Sequence, residues 1–135
     1  MNEFDTLLQI AARKSAIDAG SDWYQGPETY LTGIENELAE VRSELNKHRR
    51  VYIEDELADV LWDYVNVLQA LAKEQGIDPK RVLHRACQKY QERITAIEQG
   101  QPWDEVKHRQ SVELAKAHCE DVLTPQNNAS TAQNK

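Results

Sequence analysis

The stretch between residues 31 and 73 combines acidic and apolar side chains at helical spacing, and this combination constrains the fold most strongly. Glu37 and Glu40 are three positions apart, and so are Glu56 and Asp59. In an α-helix, this spacing places two side chains on one face, about one turn apart. The stretch therefore predicts two helices, each of which presents a pair of carboxylates.

Apolar residues in the same stretch indicate which faces of these helices are buried. Read at about 100° per residue, one seam comprises Leu31, Ile34, Leu38, Val41 and Leu45, and the other comprises Leu57, Val60, Leu61, Tyr64, Leu68 and Leu71. The acidic pairs lie beside these seams, whereas charges on a purely solvated face more often lie opposite the buried side. The two pairs are therefore predicted to converge at the margin of a shared core.

Converging carboxylates repel one another, and burial raises the cost of keeping them ionised. A hard divalent cation bound by all of them would remove this repulsion, and oxygen ligands favour Mg²⁺ or Mn²⁺ over zinc. The residues alone leave a second interpretation open, in which the acidic faces belong to a helical interaction module without catalytic activity. The predicted convergence favours a metal site.

Two short segments within this stretch resemble a known metal-binding signature. Residues 36–40 (NELAE) and 56–59 (ELAD), separated by fifteen residues, are similar to the Glu-Glu-x-x-Glu and Glu-x-x-Asp motifs of the MazG-type nucleotide pyrophosphohydrolases. This family belongs to the all-α NTP pyrophosphatase superfamily, and the similarity extends over residues 23–93. The sequence departs from the pattern at Asn36, where the family has glutamate. The resemblance implies four residues as metal ligands and catalytic groups, namely Glu37, Glu40, Glu56 and Asp59.

The resemblance also implies a reaction. Members of this family hydrolyse a nucleoside triphosphate to the monophosphate and pyrophosphate, with Mg²⁺ as the cofactor and Mn²⁺ as a substitute. The sequence contains no glycine-rich phosphate loop and no evident serine or cysteine nucleophile, so a metal-activated water is the expected nucleophile. A narrower superfamily activity, on dUTP or a phosphoribosyl nucleotide, stays an alternative.

Lys89 and Arg93 are candidates for binding the phosphates of the substrate. They are four residues apart on a predicted helix, so they share a face. The resemblance implies phosphate binding by a lysine and an arginine at this spacing, the arginine as a planar fork and the lysine as a point charge. The spacing alone is also consistent with an exposed pair bound to Glu92 or another acid.

Three further residues are candidate substrate contacts. Asp63 and Asn66 continue the acidic stripe beyond Asp59, and Asn66 is suited either to bind a sugar hydroxyl or base or to be an ordinary polar helix residue. Trp23 lies in a loop before the first acidic helix. Its ring is suited either to stack on a base or to plug one end of the bundle, because aromatic side chains bury large areas in both roles.

The composition limits the partners of this chain. Its 135 residues carry a net charge of −7, which argues against binding a nucleic-acid backbone, because such binding requires a basic surface. Cys87 and Cys119 are far apart, which favours reduced thiols in a cytoplasmic protein over disulfides or a zinc site. No stretch resembles a membrane span, and the acidic N-terminus does not resemble a signal peptide.

The sequence predicts an all-α fold of four to five helices, organised as one domain over residues 1–123. Helical periodicity and end signals place the helices at residues 3–18, 27–47, 53–75, 79–99 and 103–122. The two acidic helices have a short connection and are expected to form an antiparallel hairpin. The polar residues 124–135 are expected to be disordered.

The predicted hairpin exposes more apolar surface than one chain can cover. The third helix is apolar from Leu57 round to Val65 and includes Trp62, which is a wider face than one partner helix covers. Pairing two hairpins about a two-fold axis would bury the excess in a four-helix bundle. The expected assembly is a homodimer or homotetramer with sites that border more than one subunit, and the family resemblance also points to it.

Overall fold

The computed structural model describes residues 2–124, and all of the regular secondary structure in this range is helical. Its five helices are α1 (Glu3–Asp18), α2 (Pro27–Glu44), α3 (Arg50–Gln75), α4 (Pro79–Glu98) and α5 (Trp103–Leu123). The predicted all-α fold is confirmed. The polar tail, predicted to be disordered, lies outside the described residues from position 125 onward.

Local signals in the sequence determine where several helices begin and end. Asn2 caps α1, since its side-chain oxygen accepts a 2.9 Å hydrogen bond from the amide of Asp5. Pro27 lies in the first turn of α2, where a missing N–H leaves no bond unmade. Gly76 ends α3 with a φ of 69°, a left-handed conformation that favours glycine. Arg50 begins α3 three residues earlier than predicted, and Glu44 ends α2 three residues earlier, so the connection keeps its predicted length at a shifted position.

The described chain forms two compact units, of which the first ends at Val82 and the second begins at Leu83. In the first unit, α3 packs against both α1 and α2. The contact between α1 and α3 holds a small core made of Leu8, Ala11 and Val65, flanked by Phe4, Leu7 and Trp62. The side-chain amide of Gln69 donates a 3.0 Å hydrogen bond to the Leu8 carbonyl, which ties the two helices together.

A buried polar network joins the end of α1 to the start of α2. Lys14 donates hydrogen bonds to Asp18 at 2.5 Å and to the Tyr30 hydroxyl at 3.0 Å, and that hydroxyl donates to Asp18. Burial, followed by the hydrogen bond to Asp18, raises the pKa of Tyr30 to about 12. Burial alone would lower the pKa of Lys14, but its hydrogen bonds to Asp18 and Tyr30 outweigh this effect and raise it. The lysine therefore stays charged beside the buried carboxylate.

A second network closes the connection between α2 and α3. The buried carboxylate of Glu44 accepts hydrogen bonds from Arg49 at 2.7 and 3.2 Å and from Lys47 at 3.3 Å. The Arg49 guanidinium also lies 4.0 Å from the ring centre of Tyr52. The hydrogen bond from Arg49 lowers the pKa of Glu44, so this carboxylate stays ionised where the chain reverses direction.

The second unit contains most of α4 and all of α5. The chain turns between them at Gly100, and the Gln101 amide donates a 2.8 Å hydrogen bond to the Ala96 carbonyl. The buried residues of this unit are Arg93, Ala96 and Val106. A charged side chain is therefore part of the buried surface of this small helical pair.

Cys87 and Cys119 are both free and exposed. Within residues 2–124, every helix is too short or too polar to cross a bilayer.

Replacing Tyr30 with phenylalanine is expected to destabilise the first unit. The variant keeps the ring but removes the hydroxyl, which leaves the buried Asp18 carboxylate without one of its hydrogen-bond partners. An unsatisfied buried polar group costs about 1–3 kcal/mol, so chemical denaturation should show the free energy of unfolding lowered by that amount. Tyr52→Phe is the matched control, because Tyr52 is exposed. Wild-type stability of Tyr30→Phe would contradict the structural role of the network.

Candidate metal centre

An antiparallel register between α2 and α3 places their acidic residues opposite one another. Gly33 of α2 lies against Asp63 of α3, and Gly26, just before α2, lies near Glu74 at the end of α3. Earlier residues of α2 therefore lie beside later residues of α3, as expected of an antiparallel hairpin. In this register, Glu37 of α2 faces the acidic pair of α3.

Three of the four predicted ligands converge in the structure. Glu37, Glu56 and Asp59 each place one carboxylate oxygen within 4.8 Å of the others. Glu40 is exposed and lies outside this group of three, although its charge acts on both glutamates of the group. The group of three is called the carboxylate cluster below, and Glu40 lies at its edge.

The carboxylate cluster is electrostatically unfavourable in the absence of a cation. Burial raises the pKa of Glu37, and the neighbouring carboxylates, Asp59 first among them, raise it further. The pKa of Glu56 is also raised, first by burial and then by the charges of Asp59 and Glu40. Within residues 2–124, no lysine or arginine forms an ion pair with a member of the cluster. The repulsion within the cluster is therefore not offset by a basic side chain of the described residues.

The donor set and its spacing fit a hard divalent cation. All of the donors are carboxylate oxygens, which suit Mg²⁺ or Mn²⁺. Two oxygens on opposite sides of one Mg²⁺ lie about 4 Å apart, because each metal–oxygen bond is about 2.1 Å long. Oxygens that lie within 4.8 Å of one another need only small side-chain rotations to share one ion.

Asp63 extends the acidic surface from the cluster toward the start of α2. A Cβ atom at Gly33 would lie 2.7 Å from the nearer Asp63 oxygen, so the glycine leaves the space that this carboxylate occupies. Burial and the charge of Asp59 raise the pKa of Asp63. The predicted role of Asp63 in binding substrate stays a prediction, and its position close to the cluster is compatible with that role.

Asn66 has a different environment from the other residues of the predicted acidic stripe. It is 2% exposed, and its side-chain amide donates a 2.9 Å hydrogen bond to the carbonyl of Trp62, one turn earlier in α3. A direct contact with a sugar or base would require this side chain to leave its buried position. Its predicted role in binding stays a prediction that needs such a movement.

Trp23 presents an aromatic ring beside the network of Lys14 and Tyr30. It is 56% exposed, while the Lys14 ammonium lies 4.4 Å from its ring centre and the Tyr30 ring packs edge-on at 5.6 Å. The indole is therefore supported by the protein and still accessible. Stacking of this ring on a base stays a prediction that the exposure permits.

Lys89 and Arg93 both lie in the second unit, in different environments. Lys89 is exposed, whereas Arg93 is 8% exposed. The Arg93 guanidinium lies 5.2 Å from the ring centres of both Tyr90 and Trp103, and its Nε donates a 2.7 Å hydrogen bond to the side-chain oxygen of Gln110. Arg93 is therefore held by its neighbours, and the predicted phosphate contacts of both cations stay predictions.

Glu92 does not bind Lys89 or Arg93, in contrast to the alternative that the spacing left open. Glu92 accepts a 2.7 Å hydrogen bond from Gln110 and forms an ion pair with Arg109 at 3.4 Å. The hydrogen bond from Gln110, followed by the contact with Arg109, lowers the pKa of Glu92. Trp103 and Gln110, which contact Arg93, were not predicted from the sequence. The available signal was their seven-residue spacing on α5, which places them on one helical face.

Two comparisons with known proteins indicate the same family. Residues 25–97, more than half of the chain, match the family model of the MazG nucleotide pyrophosphohydrolase domain. A curated relative from Thermotoga maritima, described as nucleoside triphosphate pyrophosphohydrolase/pyrophosphatase MazG, is 30% identical over 101 residues. That similarity covers 73% of this chain and 36% of the relative, so the chain spans about a third of its length. No solved structure matches this chain significantly.

The metal-free protein is expected to lose stability as the pH rises through the raised pKa values of Glu37 and Glu56. Both carboxyls bind protons more tightly in the folded state than in the unfolded state. The loss therefore begins near the ordinary carboxyl pKa of about 4 and is complete above the raised values. Glu37→Gln removes one such group, so in EDTA its melting temperature should exceed that of the wild type by a few degrees at pH 7 and by little at pH 4.

Glu35→Gln is the control for this measurement, because Glu35 is exposed on the same helix and lies outside the carboxylate cluster. It should leave the melting temperature nearly unchanged at both pH values. A gain for Glu37→Gln that is the same at pH 4 and pH 7 would contradict a charge-based origin.

Proposed function

Because this chain belongs to the MazG nucleotide pyrophosphohydrolase family, we propose that it is a metal-dependent enzyme that hydrolyses nucleoside triphosphates to the monophosphate and pyrophosphate. The observation that carries this proposal is the carboxylate cluster, in which Glu37, Glu56 and Asp59 bring ligand oxygens within 4.8 Å of one another. The chain spans about a third of the length of its curated relative. The proposed reaction is therefore assigned to the segment that carries the cluster, and not to the relative as a whole.

The proposed cofactor is Mg²⁺, with Mn²⁺ as a substitute, held by the cluster with Glu40 as a fourth ligand. When bound, the cation would neutralise phosphate charge and lower the pKa of an attacking water. Mg²⁺ usually keeps several waters and takes few carboxylates, so four acidic side chains have the capacity for more than one ion. The role of the chain is to hold these oxygens at the junction of α2 and α3, where antiparallel packing fixes them.

Residues outside the cluster are proposed to bind the nucleotide. Lys89 and Arg93 would bind phosphate oxygens, because an ammonium and a planar guanidinium complement a polyphosphate. The proposed contacts of the base and sugar are Trp23, Asp63 and Asn66. Among these, the exposed indole of Trp23 has the strongest support, since aromatic rings offer a stacking surface to any base.

A homo-oligomer, with the dimer as its smallest form, is also proposed. The apolar seams of α2 and α3 are partly uncovered in the single chain, with Leu38, Leu57 and Leu61 46%, 50% and 47% exposed. An apolar face of this extent on a two-helix hairpin is typical of an interface. Pairing two copies of the hairpin would bury both seams in a four-helix core.

Pyrophosphate release from a panel of nucleotides tests the proposed reaction. The purified chain with Mg²⁺ should convert nucleoside triphosphates to monophosphates, with pyrophosphate as the second product. Activity confined to dUTP or a phosphoribosyl nucleotide would favour the narrower superfamily function instead. Release of orthophosphate would show that a different bond is cleaved. No hydrolysis of any nucleotide with Mg²⁺ or Mn²⁺ would favour an interaction module.

Removing single charges from the site is expected to abolish most of this activity. The four variants are Glu37→Gln, Glu40→Gln, Glu56→Gln and Asp59→Asn. Each keeps the side-chain shape and should lower kcat/KM by about 100-fold or more, because the charge that holds the cation is lost. Glu54→Gln is the control, since Glu54 is an exposed acid of α3 outside the cluster, and it should keep wild-type kinetics.

A binding measurement separates metal ligation from other effects of these variants. Mg²⁺ bound only by the folded state should raise the melting temperature of the wild type and not that of the quadruple amide variant. An equal shift in both proteins would place the ion elsewhere. Full activity of Asp59→Asn would likewise remove the metal-site assignment.

Leu61→Asp is expected to dissociate the proposed oligomer. The substitution places a charge in the middle of the exposed α3 seam, where pairing would bury it at a cost of several kcal/mol. Light scattering at low micromolar concentration should give at least twice the 15.5 kDa chain mass for the wild type and the single-chain mass for the variant. Val51→Asp is the control, because Val51 is exposed at the start of α3 and lies off the seam. A wild-type monomer with full activity would exclude the proposed assembly.

A further inference from the structure

We infer that Gln110 of α5 is a positioning residue for Arg93, whose guanidinium it holds by a neutral hydrogen bond so that the terminal nitrogens remain free to bind a phosphate group. This inference rests on the proposed function, in which Arg93 contacts the phosphates of a nucleotide. It extends that function to α5, all of which lies beyond the residues that match the family model.

The buried Arg93 charge lies among neutral neighbours. Buried charged side chains are normally paired with an opposite charge. Arg93 is 8% exposed, yet among the described residues its guanidinium bonds to no carboxylate, and its hydrogen-bond acceptor is Gln110. The rings of Tyr90 and Trp103, each centred 5.2 Å away, supply cation–π attraction. Neutral neighbours therefore hold the cation without cancelling its charge.

The hydrogen bonds of Gln110 fix the orientation of its side-chain amide. Its Nε2 donates to the Glu92 carboxylate at 2.7 Å and to the Lys89 carbonyl at 3.0 Å, and its Oε1 accepts from Arg93 at 2.7 Å. Rotating the amide by 180° would place its NH₂ against the Arg93 N–H and its oxygen against two acceptors. Chemistry therefore permits one orientation, which aims the acceptor at Arg93.

Part of the Arg93 guanidinium remains available to bind a ligand. A guanidinium has five N–H donors, and the Gln110 bond uses the one on Nε. No buried side-chain nitrogen or oxygen of the described residues lacks a hydrogen-bond partner. The terminal nitrogens of Arg93, which have no partner in the described part of the chain, must therefore reach solvent. This is the fork that binds two phosphate oxygens side by side.

The surface around Arg93 carries a positive charge. Arg93 lines a groove of about 1160 Å³ between α4 and α5. Its other basic lining residues are Arg85, Lys89, Lys107 and Arg109, and its acidic ones are Glu92 and Glu113. The groove is thus net positive in a chain whose net charge is −7. An anion such as a phosphate group is attracted to it.

A neutral residue at position 110 is what this arrangement requires. A carboxylate there would also accept the Arg93 hydrogen bond, but it would neutralise the guanidinium and compete with the phosphate for it. It would also lie next to Glu92, whose charge would repel it. Glutamine supplies the same geometry and leaves the full positive charge for the ligand.

The experiment compares Gln110→Met, Gln110→Glu, Arg93→Ala and the double variant Arg93→Ala/Gln110→Met in nucleotide hydrolysis. Methionine keeps the volume of the side chain and removes both of its hydrogen-bonding functions. Gln110→Met should raise KM about 10-fold with a smaller change in kcat, and Gln110→Glu should raise KM further. In the Arg93→Ala background, Gln110→Met should cause no additional loss, because its effect passes through the arginine.

Gln9→Met is the control, since Gln9 is exposed on α1 and is not one of the residues that line the groove, and it should keep the wild-type KM. Circular dichroism and melting temperature of each variant report whether α5 remains folded. Gln110→Glu keeps a hydrogen-bond acceptor for Arg93 and therefore keeps the inference testable if the methionine variant does not fold. Kinetics of Gln110→Met and Gln110→Glu that equal the wild type, or a full additional loss in the double variant, would overturn the inference.

Direct binding separates this inference from the proposed reaction. Calorimetry with inorganic pyrophosphate, in EDTA, measures the basic groove without a metal-bound carboxylate cluster. Weaker binding to Gln110→Met, with no further weakening in the double variant, supports the inference even if no nucleotide is hydrolysed. Equal binding to the wild type and to all of the variants overturns it, whatever the enzyme activity. Hydrolysis that depends on Arg93 and not on Gln110 would leave the proposed function intact and remove the positioning role.

Discussion

The carboxylates at the contact between α2 and α3 repel one another, and the structure of the first unit must offset this repulsion. Glu37, Glu56 and Asp59 lie within 4.8 Å of one another, although their charges destabilise a helix pair that brings them together. The rest of the unit offsets this cost. The core between α1 and α3 anchors the longer acidic helix, and the buried Glu44 with its basic partners closes the connection. The first unit therefore tolerates an acidic site that an isolated hairpin would relieve by separating its helices.

The two units carry opposite electrostatic imbalances, each considered by itself. The first presents carboxylates without cationic partners, and the second presents the Arg93 guanidinium without an acidic partner among the described residues. Both imbalances are preserved by uncharged residues, since Gly33 makes room for Asp63 and Gln110 holds Arg93 without neutralising it. In the function proposed above, the divalent cation would complement the carboxylates of the first unit, and the phosphates would complement Arg93 of the second.

The small size of the chain explains why apolar side chains of α2 and α3 are exposed. Leu38 and Leu61 are about half exposed, although helical periodicity places them at the centre of their seams. A chain of this size has few elements with which to cover two long helices. The same hairpin that carries the carboxylates therefore also carries the surface most suited to a second copy, so assembly and site are expected to depend on the same two helices.

The sequence by itself determined the helical segments and several of their end signals, because caps and helical periodicity act within one or two turns. It also predicted that the two acidic pairs converge, and three of the four carboxylates do so. Only the tertiary structure decided how deeply each predicted site residue lies. Asp63 and Asn66 share one stripe of α3, yet Gly33 gives Asp63 a place beside the cluster while Asn66 is buried. Lys89 and Arg93 share one face of α4, yet Lys89 is exposed whereas Arg93 is buried and bonded to Gln110 of α5. These differences arise from side chains distant in sequence, whose contacts helical periodicity does not encode.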